Sequence, residues 1–393
     1  MTGKRVMTRR DFCAGVSSLF GALWLGGCRS VLTSAPGEDS SGDIARRLNA
    51  YRVAVLGDTH FDKAPESVYH SHYDESNKWA KVQHEEFRRN GEMWQERCPS
   101  LVAASAALAA KHDTAFILQL GDLIQGDCDH APTHRQMLDD AISAIRDPYP
   151  PSLPFLTVVG NHDIRGKGAK EEYKSFIKWF MFAETMRLDA DDLAVKSGVS
   201  SFFYRGDKWI FCNFETKDLH PIIDAVEESG DARHVFLVTH GPFVTPDSRS
   251  CRWRLGGREC CDALRPKLYE ALSRRHAIVL AGHIHTTAFC RIENEFGSFS
   301  EMTFNSVWAK PSLATGEAMY DKPEHYGANT LAVLEGDKLD DFKAQLELFR
   351  PALKEYFYSL AAGHYGLEIS DTGVKADFYP GAATIPARTF TLA

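Results

Sequence analysis

The chain has 393 residues, 44% hydrophobic and 25% charged, an ordinary globular composition with length for one large domain or two small ones. Its formal charge is −8; the first 27 residues hold four basic side chains against one acidic, so residues 28–393 carry −11. That acidity argues against a long nucleic acid or another polyanion bound over a broad face.

The N-terminus sets Arg9-Arg10-Asp11-Phe12 before a small-residue apolar run, Cys13 to Gly27, that ends Leu25-Gly26-Gly27-Cys28. A basic segment, a short apolar segment and a small-residue processing site predict a targeting signal over residues 1–27. The run is too short and glycine-rich for a spanning helix, which needs about 20 apolar residues, and no other stretch approaches that length. Residues 28–48, rich in Ser, Gly, Asp and Pro, read as a flexible tether. Arg9-Arg10 with Phe12 resembles a twin-arginine export signal, and Leu25 to Cys28 resembles a bacterial lipobox. That resemblance implies an exported protein on the periplasmic or cell-surface side, anchored to the membrane by lipid on Cys28. A cytosolic protein with a ragged N-terminus is the alternative. Of nine cysteines, Cys98, Cys128, Cys212, Cys251, Cys260, Cys261 and Cys290 remain after Cys13 and Cys28. Cys251 with Cys260 or Cys261 would close a loop outside the cytoplasm, whereas Cys212 and Cys290 sit in strand-like runs as buried thiols.

Five short apolar runs are predicted strands: Tyr51 to Leu56, Ala115 to Leu120, Phe155 to Val159, His234 to Thr239 and Ala277 to Ala281. Each ends in Gly beside Asp, Asn or His, which predicts one sheet system presenting polar groups along its carboxyl edge. Helical stretches lie between them: Pro99 to Ala110, Thr133 to Ile145, Ala169 to Phe182, Leu219 to Ser229 and Asp262 to Arg275. The alternation predicts an α/β fold. Ser200 to Tyr204 with Lys208 to Phe214 reads as a hairpin opening a second strand set, continued by Phe289 to Glu293 with Ser298 to Phe304. Beyond Pro311, Thr330 to Glu335 reads as a strand, Asp340 to Leu360 as helix interrupted at Pro351, and Gly366 to Ile369 with Val374 to Tyr379 as a hairpin. Residues 49–310 are thus the expected catalytic domain, and 311–393 an extension packed on it.

The strand ends carry Asp58, His60, Asp122, Asn161, His240, His283 and His285. Mixed nitrogen and oxygen donors without thiolate suit Zn, Mn or Fe ions rather than calcium. Seven donors are too many for one ion and suffice for two sharing a carboxylate. Two such ions, about 3.5–4 Å apart, would clamp the oxygens of an in-line displacement at phosphorus and lower the pKa of a bound water.

The ordered set Asp58-Thr59-His60, Gly121-Asp122, Gly160-Asn161-His162-Asp163, His240-Gly241 and Gly282-His283-Ile284-His285 resembles the calcineurin-like metallophosphoesterase superfamily over about residues 50–310. That resemblance implies a four-layer fold, a two-sheet β-sandwich flanked by helices. It puts Asp58, His60 and His285 on one metal, Asn161, His240 and His283 on the other, Asp122 across both, and His162 as proton donor to the leaving oxygen. Asp163 would hold the backbone or the ring beside it.

The expected activity is therefore hydrolysis of a phosphate monoester or diester, on a small molecule or a lipid headgroup. The alternatives are a nuclease or nucleotide-diphosphate hydrolase on the same site, and a metal-containing surface binding protein without turnover. Two segments are candidates for substrate choice. One is the insert 61–98, with Tyr69, His70, His72, Tyr73, Trp79, His84 and Trp94, read either as a lid or as a helical excursion with locally packed aromatics. The other is the loop Pro246 to Cys261 with Arg249, Arg252, Arg254 and Arg258, either gripping phosphate or pairing with nearby acids. Arg165 is a third candidate, and Lys167, Lys170, Lys174 and Lys178 read as a wet helix face.

Overall fold

A computed structural model describes residues 49–173, 194–196, 198–247, 253–256, 264–317, 319–327 and 336–393. In chain order its elements are β1 (Tyr51–Leu56), α1 (Ser67–His70), α2 (Ala80–Glu96), α3 (Cys98–Lys111), β2 (Thr114–Gln119), α4 (Ala131–Ile145) and β3 (Phe155–Thr157). There follow β4 (Ala194–Lys196), β5 (Val199–Tyr204), β6 (Asp207–Cys212), α5 (His220–Glu227), β7 (Val235–Thr239), α6 (Arg265–Arg274), β8 (Ile278–Ala281), β9 (Thr287–Asn294) and β10 (Gly297–Thr303). The last third adds β11 (Met319–Tyr320), α7 (Asp337–Phe349), β12 (Leu353–Ser359), β13 (Gly363–Ser370), β14 (Gly373–Pro380) and β15 (Arg388–Thr391).

Two mixed sheets are formed, one ordered β15-β14-β13-β1-β2-β3 and the other β11-β12-β9-β10-β8-β7-β6-β5-β4. Alternation along the strands shows why they stack as a sandwich. Val53 and Val55 of β1, Phe116 and Leu118 of β2, and Phe236 and Val238 of β7 fill one core between the sheets. Their neighbours turn outward: Ala54, Leu56 and Ile117 pack with residues of α2, α3 and α4, while Val235 and Leu237 pack with α5, α6 and α7. The α/β fold is therefore four layers, helices, sheet, sheet and helices, and β1, β2 and β7 are apolar on both faces. Among the described residues no helix is long and apolar enough to cross a membrane.

The five motif-bearing strands do not share one sheet. β1, β2 and β3 run parallel in the first, while β7 and β8 run parallel in the second, where β7 joins the hairpin β5–β6. Sequence order cannot reveal this division, because the strand next to β6 is chosen by long-range pairing. One expected element is corrected. Residues 340–360 do not form one interrupted helix: α7 ends at Phe349, a 3-10 turn spans Arg350–Ala352, and Leu353–Ser359 is strand β12 paired with β9. Pro351 stops the helix, and the aromatic run Tyr356-Phe357-Tyr358 suits a pleated, buried surface better than a helix. The expected helix over 169–182 and the expected strand over 330–335 lie wholly or partly outside the described residues, as do residues 1–48 with the signal and Cys28.

Strands from beyond residue 311 stand inside both sheets. β13 pairs antiparallel with β1, placing Leu367 opposite Val53, and β12 lies against β9. Leu367 is fully buried between the sheets. Leu367→Ala is expected to cost about 2–5 kcal/mol of stability, read as a lowered midpoint in thermal or urea unfolding; a cost below about 1 kcal/mol would show that β13 is dispensable packing.

Candidate metal centre

The carboxyl ends of β1, β2, β3, β7 and β8 deliver all seven candidate ligand residues to one place. The turns that do so are tight. His60, Asp122, His283 and His285 adopt φ of 42°, 50°, 72° and 52°, the left-handed region that non-glycine residues avoid. Two glycines are required by close approach: a Cβ on Gly160 would collide with the Asp122 carboxylate, and one on Gly282 with that of Asp58. Asp58, His60, Asp122 and His240 are each at most 1% exposed, so bulk water does not stabilise their charges.

Three groups of side chains have ligand atoms close enough to hold a metal ion: Asp58, His60 and His285; His60, Asp122 and His162; and Asp122, His240 and His283. Nε2 of His60 and Nε2 of His285 face each other at 2.9 Å, and Asp58 Oδ2 lies 3.2 Å from the latter. Among the described residues that Asp58 oxygen is buried without a hydrogen-bond partner. On the other side three acceptors converge on His240 Nε2: Asp122 Oδ2 at 3.2 Å, Asn161 Oδ1 at 3.2 Å and His283 Nδ1 at 2.9 Å. Nδ1 of His240 donates to the Leu120 carbonyl at 2.8 Å, so Nε2 offers a lone pair in the neutral ring. One proton satisfies only one of these acceptors, whereas a cation satisfies all of them, and the His and Asp residues are thus positioned to bind metal. The donor set, imidazole and carboxylate without thiolate, suits borderline transition ions.

The electrostatics agree. Burial pushes the imidazoles of His60, to about 4, and His283 toward the neutral form that binds metals. Burial also pushes the Asp58 carboxyl up. Asp122, although burial opposes its charge, is held well below the usual carboxylate range by His240 and His162. For His240 burial favours the neutral ring, but the charges of Asp122 and Asp58 outweigh it and raise the imidazole to about 9. The pocket thus favours positive charge at the nitrogen where the acceptors meet.

His162 stands closer to this centre than the sequence suggests. Its ring lies 4.5 Å from that of His60, centre to centre, and its backbone N donates to Asp122 Oδ1 at 2.7 Å. Its Nδ1 donates to the Gln125 carbonyl at 2.8 Å, leaving Nε2 as the nitrogen available to the centre, and burial pushes the ring well toward its neutral form. Asp163 holds backbone, accepting from Gly160 N at 2.8 Å and Ile124 N at 3.3 Å.

The candidate substrate-gripping arginines have other partners. Arg165 pairs with Asp127 and Glu86, and Arg254, only 3% exposed, pairs with Asp341 at 3.0 Å. Arg249, Arg252, Arg258 and the three cysteines of that loop lie outside the described residues; Cys98, Cys128, Cys212 and Cys290 are buried free thiols. In the insert, Tyr69, Phe87 and Trp94 are buried while Trp79 is exposed. His70 stacks on Phe87 and bonds Asp62 at 3.1 Å rather than joining the candidate ligands. Sequence reasoning passed over Gln125, whose side chain meets His60 Nδ1 at 3.0 Å; its one signal was its place three residues after Asp122.

A family model described as calcineurin-like phosphoesterase matches residues 51–287. No curated protein matches the chain significantly. Among solved structures, the chain is similar to a Plasmodium protein described as GAP50, the anchor in the inner membrane complex, at 13% identity over 87% of this chain and 88% of that one, with a TM-score of 0.46. It is similar to PhoD at 11% identity over 87% and 68%, with a TM-score of 0.48. It is also similar to a dimetal phosphatase from Danio rerio at 10% identity over 87% and 98%, with a TM-score of 0.43. Likeness at that level does not bear on the chemistry of the site.

Proposed function

Because the chain belongs to the calcineurin-like phosphoesterase family, we propose that it hydrolyses a phosphate monoester or diester at a centre of two zinc, manganese or iron ions. The observation that carries this reading is a shared oxygen. Asp122 Oδ2 lies 3.5 Å from His60 Nε2 and 3.2 Å from His240 Nε2, so one carboxylate atom serves two clusters of imidazoles. In this reading Asp58, His60 and His285 hold one ion, Asn161, His240 and His283 hold the other, and Asp122 joins both. When bound, the ions supply Lewis acidity at the phosphoryl oxygens and a water of lowered pKa.

The chain's own groups do the rest. Backbone carbonyls at Leu120 and Gln125 take the Nδ1 hydrogens of His240 and His162, so His240 turns Nε2 toward its ion and His162 keeps Nε2 available to the substrate. As proton donor to the leaving oxygen His162 acts from Nε2 in its cationic form, since Nδ1 keeps the hydrogen given to Gln125; burial opposes that form and the charge of Asp122 favours it. The carboxylate of Asp122 fixes that ring's backbone by accepting from His162 N. The acidic chain supports an ester on a small molecule or lipid headgroup over a long nucleic acid. The N-terminal arginine pair and Cys28 support export and lipid anchoring of this activity.

Asp122→Asn, or a chelator on the native protein, is expected to reduce hydrolysis of nitrophenyl phosphate mono- and diesters to background; full activity in either case would sink the reading. Turnover of nucleotide diphosphates or DNA but of no simple ester would move it to the nuclease class. His162→Ala is expected to keep the metal content and slow esters of poor leaving groups by about 10²–10⁴-fold. An equal slowdown for good and poor leaving groups would remove its acid role. Cys28→Ser is expected to shift the exported protein from the membrane to the soluble fraction, and unchanged membrane retention would argue against the lipid anchor.

A further inference from the structure

Glu86, Asn90 and Trp94 are spaced by four along α2 and so share one helix face. All three reach the loops that carry the metal centre. Trp94 Nε1 donates to the carbonyl of Thr59, the residue between Asp58 and His60, at 2.8 Å. Asn90, fully buried, donates from Nδ2 to Gln125 Oε1 at 2.5 Å. Gln125 Nε2 donates in turn to Glu86 Oε2 at 3.3 Å. Glu86 is itself held by Arg165 at 3.2 Å, and Arg165 by Asp127 through a 2.6 Å bond from Nε.

This chain of partners decides a proton position. The Asn90 amide is oriented by Arg89 Nε, which donates to Asn90 Oδ1 at 3.1 Å, so its NH₂ group faces Gln125. Only an oxygen accepts that hydrogen, and only the Gln125 NH₂ group donates to the Glu86 carboxylate. The two ends of the Gln125 amide are therefore fixed independently, and the atom 3.0 Å from His60 Nδ1 is an acceptor. His60 must carry its hydrogen on Nδ1, which leaves the Nε2 lone pair facing His285 and Asp58. Without that partner the neutral ring is free to place its hydrogen on Nε2, where it blocks a metal bond.

We propose that Gln125, held by Glu86 and Asn90 of α2, is a positioning residue that fixes the tautomer and orientation of His60 and so sets the affinity of the Asp58, His60 and His285 site for its ion. The insert between the first two motifs is then a splint for one metal site. This rests on the reading of those three residues as ligands. It predicts an asymmetry: the His240 ring takes its orientation from the Leu120 backbone instead, so the second site does not depend on the splint.

The test uses the purified full chain, stripped with chelator and titrated with Mn²⁺ by calorimetry, with bound ions counted by elemental analysis. Gln125→Met removes the side-chain amide, keeps similar bulk and leaves the backbone carbonyl that serves His162. The native chain is expected to bind two ions, and Gln125→Met to bind one with unchanged affinity and the other about 10–100-fold more weakly. A folded Gln125→Met chain that binds both ions as the native chain does would overturn the proposal. Equal weakening of both ions would overturn it too, as the mark of a general structural role. Unfolding melts of the metal-free chains establish that the variant is folded. If it is not, Asn90→Ala, which removes the donor to Gln125 Oε1, is expected to weaken the same single ion severalfold, and two unchanged sites would overturn the idea. A native chain that binds no ion would remove the metal-centre reading itself, a result distinct from two intact sites in the variant.

Discussion

A carboxylate almost wholly out of water is the constraint on which the rest of this structure depends. Asp122 keeps its charge at 1% exposure only because His240, His162 and His60 surround it. An ionised group in that position is costly unless countercharge lies within a few ångströms. A single proton on His240 answers part of that demand. The demand that remains is for a cation, and the Asp58 oxygen that lacks a hydrogen-bond partner among the described residues repeats it nearby.

The backbone around Asp122 is built to tolerate this crowding. Four of the seven candidate ligand residues sit in left-handed turns, and the chain passes the two carboxylates at Gly160 and Gly282, where no side chain fits. Such strain, of order 1–3 kcal/mol per residue, persists because the strands behind it are rigid. β1 is locked on both sides, by β2 and by β13 from the far end of the chain. Both faces of that sheet are packed, one against the second sheet and one against helices. The sandwich therefore acts as the frame that holds the turns, and the insert helix adds a second support from outside through Gln125 and Thr59.

Much of this was legible in the sequence for a simple reason. A buried parallel strand is a short apolar run, and where it must turn sharply beside a polar ligand it ends in glycine with Asp, Asn or His, so strand and site are written in adjacent residues. Phe155 to Val159 followed by Gly160-Asn161-His162 is such a case. The stretch 340–360 was only partly legible: Pro351 and the aromatic run Tyr356-Phe357-Tyr358 mark a change from helix, but nothing local names the partner strand, β9, far back in the chain. The split of the five strands between two sheets was not legible, since β6 pairs with β7 through atoms remote in sequence.

The sequence by itself determined the α/β class, the carboxyl-end turns and the identity of the seven side chains gathered there, because each is set by residues within a few positions of one another. Only the tertiary structure decided which sheet each strand joins, that strands beyond residue 311 complete both sheets, and that Arg165 and Arg254 are spent on carboxylates within the protein. It also decided which nitrogen of each imidazole faces the centre. That choice is made by a hydrogen-bond acceptor on another segment, Leu120 for His240 and Gln125 for His60 and His162, and no local pattern in the chain encodes such a partner.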